Sequence, residues 1–281
     1  MEKNYKSILR ENGFQFKKAF GQNFLTDSFL LDEIVEKAGV TENDTVLEIG
    51  CGAGALTRAL AKKAKKVVGY EIDVKLKPVL SQTLAEFDNV EIIFNDVMKV
   101  KLEDIESKLG EDYVLVANLP YYITTPIVMR FIENSFKMKA MVIMVQEEVA
   151  YRFSAKAGNS DYGAITVGIN LRGSAEVVLK VPRDKFTPPP NVDSAVVKIL
   201  VQKDKFGDIC YEKVRNVVRC AFTSRRKTLA NNLINGFKLS RQTVENILEK
   251  SGLNLNCRGE SLSAEEYVNL TQILEENGVK L

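Results

Sequence analysis

The ten residues from Thr45 to Gly54, TVLEIGCGAG, constrain the fold of this chain more than any other stretch. A short run of strand-forming residues enters three glycines at alternate positions, and a helix-like run, ALTRALAKKAKK, begins at once. A buried strand that turns on glycine straight into a helix is the opening unit of an α/β sheet. The rhythm continues downstream. Helices are expected at 55–66, 74–86 and 125–134, and strands at 67–70, 90–94, 113–117 and 141–145. Two more strand-like runs, 176–181 and 194–201, flank the turn-rich PRDKFTPPPNVD. This pattern predicts a Rossmann-like, mostly parallel sheet with helices on both faces and an antiparallel edge formed by the last two strands.

After about residue 203 the strand signal stops, and helical periodicity marks 211–223, 225–235, 240–252 and 263–277. Ser240 and Ser263 are candidate N-caps, and Ser263 opens Ser-Ala-Glu-Glu, a capping box. The expected organisation is therefore an α/β domain over 1–203 and a smaller all-α domain over 204–281.

Composition narrows the chemistry. The chain of 281 residues has no histidine, which removes Ser-His-Asp and Cys-His machinery, imidazole zinc sites and the usual base near neutral pH. Cys51, Cys210, Cys220 and Cys257 follow no metal-ribbon or disulfide spacing. No metal is expected. No apolar run is long enough for a signal peptide or a membrane span, so a cytoplasmic protein is expected. The formal net charge of +2 divides unevenly: residues 1–181 hold 23 basic and 25 acidic side chains, residues 182–281 hold 16 and 12. Between Tyr211 and Arg241, Lys213, Arg215, Arg219, Arg225, Arg226, Lys227, Lys238 and Arg241 face only Glu212. A second basic group, Lys3, Lys6, Arg10, Lys17 and Lys18, occupies the N-terminal arm. Such clusters read either as a polyanion docking surface or as solvated helix faces.

The glycine loop at Gly50, Gly52 and Gly54 suits a dinucleotide or S-adenosylmethionine. The acidic Glu48 before the first glycine and the Gly-x-Gly-x-Gly spacing favour the latter. Glu71 closes the next strand, where a carboxylate can accept from ribose hydroxyls, and Asp96 follows the third strand, placed to accept from an adenine amino group. Ligands of open α/β sheets bind at the carboxyl ends of the strands, so Gly50, Glu71 and Asp96 should converge. The fourth strand runs into Asn118-Leu119-Pro120-Tyr121. This run resembles the active-site signature of nucleic-acid N6-adenine methyltransferases, whose implied target, an adenine exocyclic amine, is a poor nucleophile because its lone pair is delocalised. An asparagine oxygen and a backbone carbonyl on a proline-stiffened turn can accept its two N–H bonds, and Tyr121 can stack on the extruded base.

With further matches the chain resembles the rRNA adenine dimethyltransferase family, in its small-subunit, 16S-directed branch. Phe20-Gly21-Gln22-Asn23-Phe24-Leu25 is similar to its N-terminal signature, and the resemblance implies that Asn23 and Leu25 line the S-adenosylmethionine pocket along with Gly50, Gly52, Glu71, Asp96 and Asn118. The run from Phe186 to Val196 resembles its proline-rich loop, placing Phe186 beside the target base with Asn118, Leu119, Pro120 and Tyr121. Ala221 to Leu229 resembles its basic helix, which implies RNA contacts from Arg225, Arg226 and Lys227; Arg258-Gly259-Glu260 with Leu262-Ser263 resembles its C-terminal motif. Residue 51 is cysteine where the family often has proline, and YGAIT at 162–166 replaces a more usual Gly-Arg-Leu-Ser.

The resemblance implies an enzyme that dimethylates N6 of two adjacent adenosines in the 3′-terminal hairpin of 16S rRNA, using S-adenosylmethionine. It would act as a monomer on the immature small ribosomal subunit, with no membrane partner. Three other readings stay open at this stage: a large-subunit methyltransferase of the macrolide-resistance type, a non-catalytic ribosome-assembly factor, and a nicotinamide-dependent dehydrogenase. The last leaves NLPY and the basic cluster unexplained.

Overall fold

The computed structural model describes residues 4–15, 23–203, 205–207 and 209–281. Phe20, Gly21 and Gln22 of the N-terminal signature, and Lys3, Lys17 and Lys18, lie outside the described residues. In chain order the strands are β1 (Phe24–Leu25), β2 (Thr45–Ile49), β3 (Lys66–Glu71), β4 (Val90–Phe94), β5 (Tyr113–Asn118), β6 (Met138–Gln146), β7 (Gly173–Val181), β8 (Phe186–Thr187) and β9 (Ser194–Val201). Helices α1 (Tyr5–Glu11), α2 (Ser28–Ala38), α3 (Ala55–Ala61), α4 (Lys77–Thr83), α5 (Leu102–Ser107) and α6 (Thr124–Asn134) come before β6. After it come α7 (Glu147–Phe153), α8 (Ala164–Arg172), α9 (Tyr211–Ala221), α10 (Leu229–Phe237), α11 (Arg241–Lys250) and α12 (Ala264–Glu276).

Seven strands form one sheet in the order β4-β3-β2-β5-β6-β9-β7. Strands β2 to β6 pair in parallel, and β9 runs antiparallel to β6 with Met144 opposite Val196. The order reverses beside β2, whose neighbours are β3 and β5, and such a reversal opens a crevice at the carboxyl ends of the strands. Val46, Leu47, Val67, Val68, Leu115 and Val116 are fully shielded from water, as parallel strands covered on both faces require. A separate two-stranded ribbon pairs Phe24 with Thr187 and Leu25 with Phe186, antiparallel.

The chain divides into two compact units, 1–150 with 175–201, and 151–174 with 202–281. The change near residue 203 falls at 201/202, but the sequence reading placed 151–174 with the sheet, whereas these residues belong to the helical unit. The reason is local to that unit. Tyr162 is buried, its hydroxyl donating to the Leu262 carbonyl at 2.9 Å, while Val167 and Leu171 of α8 join the core of Val217, Leu233, Ile247 and Tyr267. Both expected caps are present: Ser240 accepts from Thr243 N–H at 3.1 Å, and Ser263 and Glu266 form the reciprocal capping box at 3.2 and 2.7 Å. Among the described residues no helix is long and apolar enough to cross a membrane.

Gly69 in β3 shows how tightly the sheet packs beneath the glycine loop. A Cβ there would lie 2.4 Å from Cys51 Sγ and 2.8 Å from Ile92 Cδ1. Overpacking a filled interior costs about 1–3 kcal/mol. Gly69→Ala should lower unfolding stability by about 2 kcal/mol in urea titrations, and adding Cys51→Ala should restore part of it; a stable Gly69→Ala protein would show that the loop yields.

Candidate active site

The end of β2 enters a loop in which Gly50, Gly52 and Gly54 all take positive φ, 79°, 55° and 85°. At Gly52 the space is limited as well, since a Cβ would sit 3.1 Å from the Phe24 ring. Bare backbone therefore forms this wall of the crevice. Glu71, the last residue of β3, holds the loop: its Oε2 accepts from Gly52 N–H at 2.9 Å and its Oε1 from Asp73 N–H at 2.8 Å. Burial pushes the Glu71 carboxyl upward, and these two backbone donors pull it back toward the charged form.

On the other side of the switch point, Asn118 ends β5. Its Nδ2 donates to the Asn23 carbonyl at 3.2 Å, which leaves Oδ1 as the acceptor available to a ligand. The Pro120 carbonyl is taken by Ile123 N–H and the Thr124 hydroxyl, each at 3.1 Å. The neighbouring Leu119 carbonyl is thus the backbone acceptor on offer. Leu119 itself is buried, and its N–H bonds to Met144 at 3.4 Å. Tyr121 is half-buried, with its hydroxyl 2.9 Å from Ser194 Oγ at the start of β9, so the ring is fixed from behind.

These residues share one cleft that is open to solvent. Asn23, Gly50, Gly52, Glu71, Asn118, Leu119, Pro120 and Tyr121 all line it. Leu25 lies behind, lining a smaller apolar cavity with Gly50, Ala53 and Asn118. Phe186 is buried opposite Leu25 and reaches a separate groove bordered by Pro189 and Pro190. Asp96 stands just beyond β4 but is not part of the cleft wall. Its Oδ1 accepts from Met98 N–H at 3.0 Å and its Oδ2 lies 3.8 Å from Lys99 Nζ. The wall also includes Phe24, Ile72, Leu76 and Tyr122. For Ile72 and Leu76 the only signal was an apolar side chain soon after Glu71.

The fit to S-adenosylmethionine rests on this donor set. Glycine backbone allows close approach, buried Glu71 and half-buried Asn118 supply acceptors, and Phe24, Ile72 and Leu76 supply apolar surface. Among the described residues no group of three or more acidic or cysteine side chains is placed to hold a metal ion.

The basic stretch of the helical unit differs from its sequence reading. Arg225, Arg226 and Lys227 were expected on a helix starting at 225, but they form the turn before α10. Thr228 accepts from Asn231 N–H at 3.3 Å and so starts α10 at Leu229. Arg225 is tied to its own unit: it donates to the carbonyls of Tyr162 and Ser160, the latter at 3.3 Å, and pairs with Glu260 at 3.6 Å. Arg226 and Lys227 are exposed.

A glycine loop at the switch point of a doubly wound sheet, with an acid on the next strand and the Asn118–Tyr121 turn sharing its cleft, fits a Rossmann-like methyltransferase. The family model described as "Ribosomal RNA adenine dimethylase" matches residues 13–276. The chain is 44% identical over 280 residues to the ribosomal RNA small subunit methyltransferase A of Bacillus licheniformis, covering 96% of this chain and 95% of that one. To the protein of the same name from Bacillus cytotoxicus it is 43% identical over 282 residues, covering 98% and 97%. Among solved structures it is similar to a dimethyladenosine transferase from Plasmodium falciparum, with TM-score 0.80 and 28% identity over 91% of this chain and 98% of that one. It is also similar to a 23S rRNA methyltransferase, ErmE, with TM-score 0.71 and 27% identity over 90% and 100%. The chain belongs to the ribosomal RNA adenine dimethylase family.

Glu48, beneath the glycine loop, is wholly buried, and neither carboxyl oxygen makes a hydrogen bond. Burial pushes its pKa up from 4.5 to about 8; the Thr57 hydroxyl opposes this from outside hydrogen-bond geometry, and the charge of Glu71 adds to it. The folded state thus keeps a proton that the unfolded chain loses. The stability that goes with that proton is complete below pH 4.5 and is lost as pH rises towards about 8. Glu48→Gln should therefore be more stable than the native chain at pH 8.5, by at least about 1 kcal/mol, with the gap closing near pH 4.5. Parallel stability curves in denaturant titrations at the two pH values would contradict a neutral Glu48.

Proposed function

We propose that this protein transfers methyl groups to N6 of two adjacent adenosines in the 3′-terminal hairpin of 16S rRNA, two to each, with S-adenosylmethionine as donor. Asn118 carries this reading: its amide nitrogen is anchored to Asn23, leaving its oxygen free beside the cleft, next to the carbonyl of Leu119. Bound S-adenosylmethionine supplies an electrophilic methyl group. Gly50, Gly52 and Glu71, with Asn23 and Asn118, would hold it, Leu25 would pack behind them, and Asp96 would reach its adenine end.

Asn118 Oδ1 and the Leu119 carbonyl accept the two N–H bonds of the target amine and favour a tetrahedral nitrogen whose lone pair is no longer shared with the ring. These acceptors are fixed before substrate arrives, because Pro120 stiffens the turn and Met144 holds Leu119. Tyr121 offers one ring face to the extruded base, a stacking contribution of about 1–3 kcal/mol per base, while Phe186, buried at the separate groove, supports the strand pair that seats Leu25. The nitrogen sheds its proton to water after the methyl has transferred, so no tuned base is needed. That is why a chain without histidine can do this chemistry.

Arg226 and Lys227 contact RNA phosphates, while Arg225 holds the turn that presents them. The substrate is the RNA of the immature small subunit, which the protein meets in the cytoplasm as a monomer. The 44% identity to a small-subunit enzyme, against 27% to ErmE, favours 16S over 23S RNA.

Asn118→Ala should lose methyl transfer by at least about 100-fold, the scale of a lost oriented polar group, with a much smaller loss of S-adenosylmethionine affinity in calorimetry; near-native turnover would refute its role. Primer extension across both rRNAs should stop only at the 16S adenosines. Reversing Arg226 and Lys227 to glutamate should weaken RNA binding and reduce its salt slope by about one for each phosphate that is no longer neutralised. An unchanged slope would make the turn ordinary solvated surface.

A further inference from the structure

The turn after Asn118 carries two consecutive aromatic residues, and the structure treats them differently. Ile123 N–H bonds to the Pro120 carbonyl at 3.1 Å, so Tyr121 and Tyr122 are the central residues of a closed turn. Tyr121 is half-buried and secured by Ser194. Tyr122 is 61% exposed, yet it also lines the cleft. Among the described residues it has no hydrogen-bond or ring partner. A single exposed tyrosine on a surface is ordinary. This one stands at the rim of the cleft, one residue from the ring assigned to the target base.

Drawing one base out of a strand removes a stacking face from its neighbour. A protein surface that offers a ring at that spot lowers the cost of extrusion, and stacking tolerates any base because each has a π face. We propose that Tyr122 is a second stacking platform, holding the unpaired purine adjacent to the target adenosine while that adenosine occupies the cleft. This rests on the reading of the site given above and adds a substrate requirement to it: a flanking nucleotide with a base. The hydroxyl of Tyr122 has no assigned part; the ring alone is needed.

The test uses the full chain and two RNA hairpins, one with both loop adenosines and one in which the flanking adenosine is abasic. Tyr122→Ala should weaken binding to the intact hairpin by about tenfold in cofactor-free anisotropy titrations, the scale of one stacked base. Its KM for RNA should rise in parallel, with kcat and S-adenosylmethionine affinity as in the native protein. Tyr122→Phe should match the native protein throughout. On the abasic hairpin, the native protein and Tyr122→Ala should bind alike. Three results would overturn the proposal: native-like binding of the intact hairpin by Tyr122→Ala, an equal loss on both hairpins, or a loss of S-adenosylmethionine affinity. If the native protein methylates the intact hairpin in those cases, only the platform fails; if it methylates neither hairpin, the reading of the whole site fails with it.

Discussion

The cleft depends on one carboxylate. Glu71 stands at the end of β3 with both oxygens engaged by backbone N–H groups from different segments, Gly52 on one side and Asp73 on the other. It is almost wholly buried, which pushes its carboxyl upward, and those donors offset part of that push. The bond to Gly52 fixes the glycine loop in its left-handed geometry, and the space left there is filled by the Phe24 ring. Phe24 belongs to β1, whose pairing with β8 seats Phe186. A line of contacts thus runs from one acid on the sheet, through the glycine loop and Phe24, to the β1–β8 ribbon. Glu48, close by, shows the opposite outcome: without donors it stays neutral.

On the other side of the switch point the same economy of fixed dipoles appears. The Asn118 amide nitrogen and the Pro120 carbonyl are engaged by the fold, which leaves the Asn118 oxygen and the Leu119 carbonyl as the acceptors proposed for the ligand. Hydrogen-bond acceptors held in place need no reorganisation during reaction, which is the main advantage a protein can give to a weak nucleophile.

The parts of this arrangement visible in the sequence are those with a short-range cause. The strand TVLEI, the glycines after it and the capping box at Ser263 each follow from neighbouring residues, and each lies where expected. Glu71 and Asn118 were legible because strand ends in a parallel sheet share one edge. The misread parts depend on distant partners. Residues 151–174 have a weak helical period broken by AKAGNSDYG, and only the burial of Tyr162 against Leu262 assigns them to the helical unit. Asp96 stands just beyond β4, where strand position put it, with one carboxylate oxygen accepting from Met98 N–H two residues on. Tyr122 gave no signal of its own, since adjacency to Tyr121 does not reveal which ring is anchored.

Arg225 makes the same point about charge. In the sequence it is one of eight cations around a single acid, indistinguishable from Arg226 beside it. In the fold its guanidinium serves two carbonyls and the Glu260 carboxylate at once, a use that suits a planar group with five donors and would not suit lysine. A cluster that looks uniform is therefore divided between one residue that shapes the turn and two that project from it. Electrostatic attraction to a polyanion acts at long range and needs little shape, whereas the chemistry in the cleft is defined by the placement of a few atoms. The helical unit can present charge on an exposed turn, while the sheet must present oxygens and rings from buried strand ends, and each unit's local structure follows from that difference.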